Sequence, residues 1–163
     1  MTSPFAAGLE ARGYVLLDGA LATELESRGC DLDDPLWSGR VLLDAPGRIE
    51  EVHLDYLRAG AEVITSASYQ VTFEGLAAIG ITGADAATTL TRSVALARSA
   101  CRLHGEGLVA ASVGPYGAYL HDGSEYTGDY PLDRSALADF HRPRLRALAS
   151  AAPDLIAFET IPS

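Results

Sequence analysis

Four short apolar runs punctuate the chain: Tyr14-Val15-Leu16-Leu17, Glu62-Val63-Ile64, Leu108-Val109-Ala110-Ala111 and Leu155-Ile156-Ala157-Phe158. None alternates polar with apolar, so each fits a strand buried on both faces, as in a parallel sheet. Between the runs the period changes to that of a helix. Ile49, Val52, Tyr56 and Leu57 predict one helix, with start signals at Asp44 and Pro46 and a stop at Gly60. Ala86, Leu90, Val94, Ala97 and Cys101 line one face of a second, over 86–103, closed by Gly105. Leu137, Phe140, Leu145 and Leu148 predict a third over 133–151, which Pro143 should kink or break. A shorter helix over 21–28 directly follows the first run. The order β-α-β-α-β-α-β is that of an α/β fold, a parallel sheet with helices outside, in one domain spanning residues 1–163.

Composition narrows the partners. A net charge of -10 argues against nucleic acid, which requires clustered cations. No segment approaches the ~18 apolar residues of a membrane span, and no basic amphipathic stretch marks a membrane surface. Glu10, Arg12 and Asp18 interrupt the opening stretch from Met1 to Leu21, so no signal peptide is read and a cytoplasmic location is expected. Cys30 and Cys101 have neither disulfide-framework nor zinc-site spacing and read as reduced structural thiols. There is no lysine, which excludes Schiff-base chemistry and a Walker-type phosphate loop.

Each run ends in polar residues: Asp18-Gly19, Thr65-Ser66, Ser112 before Gly114-Pro115-Tyr116-Gly117, and Glu159-Thr160. Ligands bind at this edge of parallel α/β sheets, closed or open. Asp18 and Glu159 are candidates for recognising a cationic group such as an ammonium, or for acid/base work. The structural alternative is that Asp18 caps the next helix and Glu159 is a surface residue. The connection from Gly114 to Pro131 holds Tyr116, Tyr119, Tyr126 and Tyr130, whose ring faces can receive a cation; the structural alternative is a surface loop stapled down by its own aromatics. His53 lies beside an apolar stripe and reads as structural; His121 sits in the Tyr-rich loop.

These segments together resemble the homocysteine S-methyltransferase family, in the branch using S-methylmethionine or S-adenosylmethionine. The resemblance is carried by Leu17-Asp18-Gly19-Ala20, Asp34-Pro35-Leu36-Trp37-Ser38, Ser66-Ala67-Ser68-Tyr69-Gln70, Ser112-Val113-Gly114-Pro115-Tyr116-Gly117, Phe140-His141-Arg142-Pro143-Arg144 and Phe158-Glu159-Thr160-Ile161-Pro162-Ser163. It implies a (β/α)8 TIM barrel, of which this chain covers about the first four βα units. It also implies methyl transfer from a sulfonium donor to the zinc-bound homocysteine thiolate, giving methionine. By the family pattern Asp18 and Glu159 help bind the homocysteine amino group, and Gly19, Thr65 and Ser66 lie at its backbone and hydroxyl contacts. The Tyr-rich loop, with Tyr116, is assigned to the donor side from its chemistry. No catalytic residue is assigned.

The family's three zinc thiolates follow the sixth strand and sit at the eighth. Cys30 and Cys101 match neither position, so no metal ligand is expected in this chain. Half a barrel leaves two sheet edges open to self-association or to another half. The alternative reading is a truncated, non-catalytic half-barrel that binds an amino acid.

Overall fold

Local signals set the helix boundaries in the computed structural model, which describes residues 3–162. Met1 and Thr2, the first residues of the stretch read for a leader, and Ser163, the last of the final resemblance block, lie outside the described residues. Ser3 accepts a hydrogen bond from the Ala6 N–H at 3.2 Å and opens α1 (Pro4–Arg12). There follow α2 (Leu21–Ser27), α3 (Ser38–Asp44), α4 (Pro46–Arg58) and β1 (Val63–Thr65). Thr72 caps α5 (Phe73–Ala78) by accepting from the Gly75 N–H at 2.9 Å. Next come α6 (Gly83–His104), β2 (Leu108–Val113), α7 (Tyr116–Leu120) and a 3-10 turn over Ser124–Tyr126. Asp133 caps α8 (Arg134–Ser150) through the Ala136 N–H at 2.8 Å, and β3 (Leu155–Phe158) follows.

The strands form one parallel sheet in the order β1-β2-β3, with Val63 opposite Leu108 and Ala110 opposite Leu155. Helices pack on its outer side. Ile49, Val52 and Leu57 of α4 meet Leu90, Val94 and Ala97 of α6, above Ile64, Val109 and Ala111 of the sheet. These apolar stripes are the ones expected from the helical period. Parallel strands linked through helices are therefore as the sequence predicts.

Three expectations need correction. The run Tyr14–Leu17 forms no regular strand: it meets β1 through one parallel bridge, Leu17 to Val63, and Tyr14 and Leu17 are 57% and 55% exposed. Tyr14, Leu16 and Leu17 are exposed, so no packing layer covers the run on both faces. The run at β3 likewise alternates half-buried with exposed, and Phe158 is 62% exposed. Pro143 does not break α8, which runs unbroken through it. Asp139 and Pro143 both face water, so the Asp139 carbonyl that loses its N–H partner can be solvated. Helices α1, α3 and α5 were not anticipated; α3 and α5 are too short to show a period, and α1 buries no residue.

Candidate functional site

The carboxyl ends of the strands open into a cleft of about 920 Å³. Gly19 through Thr23 border it from the start of α2, and Asp33, Asp34 and Trp37 from the loop before α3. Thr65, Ser66, Tyr69 and Gln70 follow β1, Ser112 lies at the end of β2, and Glu159 and Thr160 follow β3. His121, Gly123, Glu125 and Tyr126 close it from the connection after α7.

Asp18 sits at the foot of this cleft. One carboxylate oxygen accepts from the Thr65 backbone N–H at 2.8 Å, and the other accepts from the Thr65 hydroxyl at 2.9 Å. It caps no helix: the N-cap of α2 is Ala20, with no side-chain hydrogen bond. Burial pushes the Asp18 carboxyl up to about 6; the Thr65 hydrogen bonds pull against this, and the charge of Glu159 adds to it. The two carboxylates are thus electrostatic neighbours.

Beneath the cleft lies a serine network. The Ser66 and Ser68 hydroxyls are 2.7 Å apart, Ser68 donates to the Ser112 carbonyl at 2.7 Å, and the Ser112 N–H donates to the Ser66 hydroxyl at 3.1 Å. These bonds tie the ends of β1 and β2 together.

Three of the unsatisfied polar atoms in the cleft wall share one character. Buried Gln70 Oε1, Glu125 Oε2 and Glu159 Oε1 have no hydrogen-bond partner, and all three are acceptors. Buried Ser112 Oγ is also unpartnered. Orphaned buried acceptors are costly, so they favour a ligand that brings donors. Among the described residues the lining carries the carboxylates of Asp33, Asp34, Glu125 and Glu159 and no arginine. Tyr69 lines the same cleft. Burial raises its phenol pKa, a contact with Thr160 lowers it, and Glu125, Tyr126 and Glu159 raise it further.

Backbone strain concentrates here. Trp37, His121 and Thr160 have φ of 49°, 58° and 53°, in the region disfavoured for residues with a Cβ, and all three line the cleft. Gly117 permits the close approach of α7 to the 3-10 turn, since a Cβ there would lie 2.2 Å from the Glu125 nitrogen.

Of the residues predicted from sequence, Gly19, Thr65, Ser66 and Glu159 line the cleft, and Asp18 supports Thr65 from below. Tyr116 is placed elsewhere. Its ring packs edge-on against Phe140 at 4.9 Å and Tyr130 at 5.5 Å, in an aromatic cluster that anchors the loop. Trp37, Asp33, Asp34 and the free acceptors of Gln70 and Glu125 were not singled out in the sequence. The signals at Asp33–Trp37 are the resemblance block Asp34–Ser38, to which no site role was given, and an aperiodic polar stretch after a short helix, the kind of loop that carries binding residues.

A family model described as Homocysteine S-methyltransferase matches residues 15–163. The chain belongs to the homocysteine S-methyltransferase family. It is 52% identical to the homocysteine S-methyltransferase of Escherichia coli over 168 residues, covering 99% of this chain and 54% of that relative. It is 48% identical to the homocysteine S-methyltransferase YbgG of Bacillus subtilis over 164 residues, covering 94% and 52%. The crystal structure of the Escherichia coli homocysteine methyltransferase MmuM in its metallated form superposes with a TM-score of 0.92 at 52% identity, over 98% of this chain and 58% of that one. The fold is therefore a part of the family's (β/α)8 barrel, about its first four βα units. The chain spans about half the length of the relatives it matches.

Cys30 is half-buried and Cys101 buried in α6, and neither lines the cleft. Among the described residues no three His, Cys, Asp or Glu side chains group as metal donors. These residues do not fit a metal centre. Among the described residues no helix is long and apolar enough to cross a membrane.

Proposed function

We propose that this chain supplies the amino-acid-binding half of a homocysteine S-methyltransferase domain, in which a methyl group passes from a sulfonium donor to homocysteine to give methionine. One observation carries the reading: the cleft presents unpartnered acceptors on Glu159, Gln70 and Glu125 among carboxylates, with no arginine in its lining among the described residues. An ammonium supplies both the N–H donors and the positive charge this wall lacks. Glu159, with Asp18 behind it, takes the homocysteine ammonium. Gly19, Thr65 and Ser66 contact the amino acid by backbone and hydroxyl groups. The cleft volume leaves room for a second cation, the methyl-sulfonium donor, beside Tyr126 and Trp37.

In the transfer, the homocysteine thiol gives its proton to solvent, and the thiolate sulfur forms a bond to the methyl carbon while the carbon–sulfonium bond breaks. The bonding pair leaves with the departing thioether. This chain's residues bind and orient, and we assign the zinc expected for the family to the part of the relatives that this chain does not span. Acidic charge and free thiols fit a cytoplasmic setting.

The test is calorimetric titration of L-homocysteine into wild type and Glu159→Gln. The expected result is measurable binding that weakens about tenfold or more in the variant, as for loss of a charge-assisted hydrogen bond. Equal affinity in both proteins refutes the assignment.

A further inference from the structure

Arg144 of α8 is 1% exposed, one of the most deeply buried side chains of the molecule, yet it forms no ion pair among the described residues. A buried cation without a carboxylate is held only if other acceptors surround it. Here they are two backbone carbonyls and a histidine ring, with Nε left unpartnered and the charge of Glu74 acting without a hydrogen bond. Nη1 donates to the Tyr69 carbonyl at 3.3 Å, and Nη2 donates to the Gly114 carbonyl. Nη2 also reaches Nδ1 of His141 at 2.9 Å, and the guanidinium lies 5.7 Å from the Phe140 ring centre. Burial, with the charge of Arg144, holds His141 down to about 4, so its ring is neutral and free to accept.

The two carbonyls belong to the connections after β1 and β2. Tyr69 and Gly114 are already in contact: the Gly114 N–H donates to the Tyr69 carbonyl at 3.2 Å, and a Cβ on Gly114 would lie 2.7 Å from the same oxygen and from the Tyr69 ring. Arg144 thus stands outside the cleft and grips the backbone whose side chains, Tyr69 and Gln70, form its wall. Gln70 Oε1 is one of the unpartnered acceptors, while its Nε2 donates to the Ala118 carbonyl at 3.0 Å. A planar guanidinium can bridge two carbonyls at once; an ammonium on a flexible stem cannot fix both in the same way.

We propose that Arg144 is a positioning residue for the cleft, which sets the Tyr69–Gln70 wall by clamping the Tyr69 and Gly114 carbonyls and so governs affinity for an ammonium-bearing amino acid. The link to affinity rests on the function proposed above; the clamp itself does not.

Two measurements on the full chain separate them: amide hydrogen exchange and calorimetric titration of L-homocysteine, on wild type, Arg144→Lys, Arg144→Met and Gly114→Ala. The exposed Arg146→Met on the same helix is the control. The clamp predicts that exchange in Arg144→Lys rises at least tenfold over residues 66–72 and 112–118 while α6 stays protected. Arg144→Met shows a larger rise in the same segments. Gly114→Ala, which strains the same contact from the other side, shows the same local pattern. Homocysteine affinity falls at least tenfold in these three and stays unchanged in the control. Unchanged exchange, or a rise spread equally over α6, overturns the clamp. Local loosening with unchanged affinity overturns the positioning role. If the wild-type chain does not bind homocysteine, the function proposed above fails, and exchange alone decides the clamp.

Discussion

Asp18 pairs structural cost with binding chemistry. Its carboxyl titrates near 6 in the folded chain, above the usual 3.8. A raised acid pKa means that the folded state holds the proton more tightly than the unfolded one. The contribution is then most favourable when the group is protonated, and it declines as pH rises from about 4 through about 6. Asp18→Asn removes that charge while its amide can still accept from the Thr65 N–H. The variant should therefore melt at or above the wild-type temperature at neutral pH, and should bind homocysteine about tenfold more weakly. Thermal denaturation beside titration calorimetry checks both; a large drop in melting temperature would contradict the account. Wild-type affinity should also fall as pH drops below about 6, since a protonated Asp18 no longer adds negative charge beside Glu159. His53, fully buried with both ring nitrogens unpartnered, is held down to about 4 by burial and is neutral at physiological pH. At this scale Asp18 and Glu159 were legible because each directly follows an apolar run. Gln70 and Glu125 were not, because an orphaned acceptor is a property of packing and has no mark in sequence.

Among the elements, the connection after β2 is the most informative. In the sequence it reads as a long Tyr-rich loop. In the fold it is α7 and a 3-10 turn locked together at Gly117, with the tyrosines divided between two tasks. Tyr116, Tyr119 and Tyr130 gather around Phe140 of α8 and fix the loop, whereas Tyr126 faces the cleft. Composition alone cannot assign a tyrosine to one task or the other, since both use the ring face. Gly117→Ala places a methyl against the backbone at Ser124 and Glu125. It should destabilise the chain by about 1–3 kcal/mol, as for overpacking, and displace Glu125 from the cleft. Chemical denaturation gives the first quantity; a stability equal to wild type would show that the contact yields freely. The long helices α4, α6 and α8 were legible because their apolar stripes repeat over several turns. Pro143 misled because a proline on a solvated helix face costs less than one in a buried turn.

For the molecule as a whole, the open flank of the sheet dominates. Tyr14, Leu16 and Leu17 beside β1, and Ile156, Phe158 and Ile161 at and after β3, leave large apolar surface exposed. Surface of this kind, next to unpaired strand edges, marks an interaction site. The polypeptide of residues 1–163 should bind a hydrophobic dye and self-associate with rising concentration, and Phe158→Glu should reduce both effects. Light scattering after size exclusion checks this; a monomer at every concentration with no dye binding would contradict it. The sequence read these runs as strands buried on both faces. Their composition supports that reading, but burial on both faces requires a packing layer on each, and the exposed Leu16, Leu17 and Phe158 lack one.

The central claim is that the cleft recognises an amino acid through its ammonium. It is tested most directly by comparing L-homocysteine with 4-mercaptobutanoate, which has the same thiol, chain and carboxylate but no ammonium, in titrations against the wild-type chain at neutral pH. The account predicts that the analogue binds at least tenfold more weakly, because Glu159, Gln70 and Glu125 are left without donors. Equal affinity for the two ligands would contradict it.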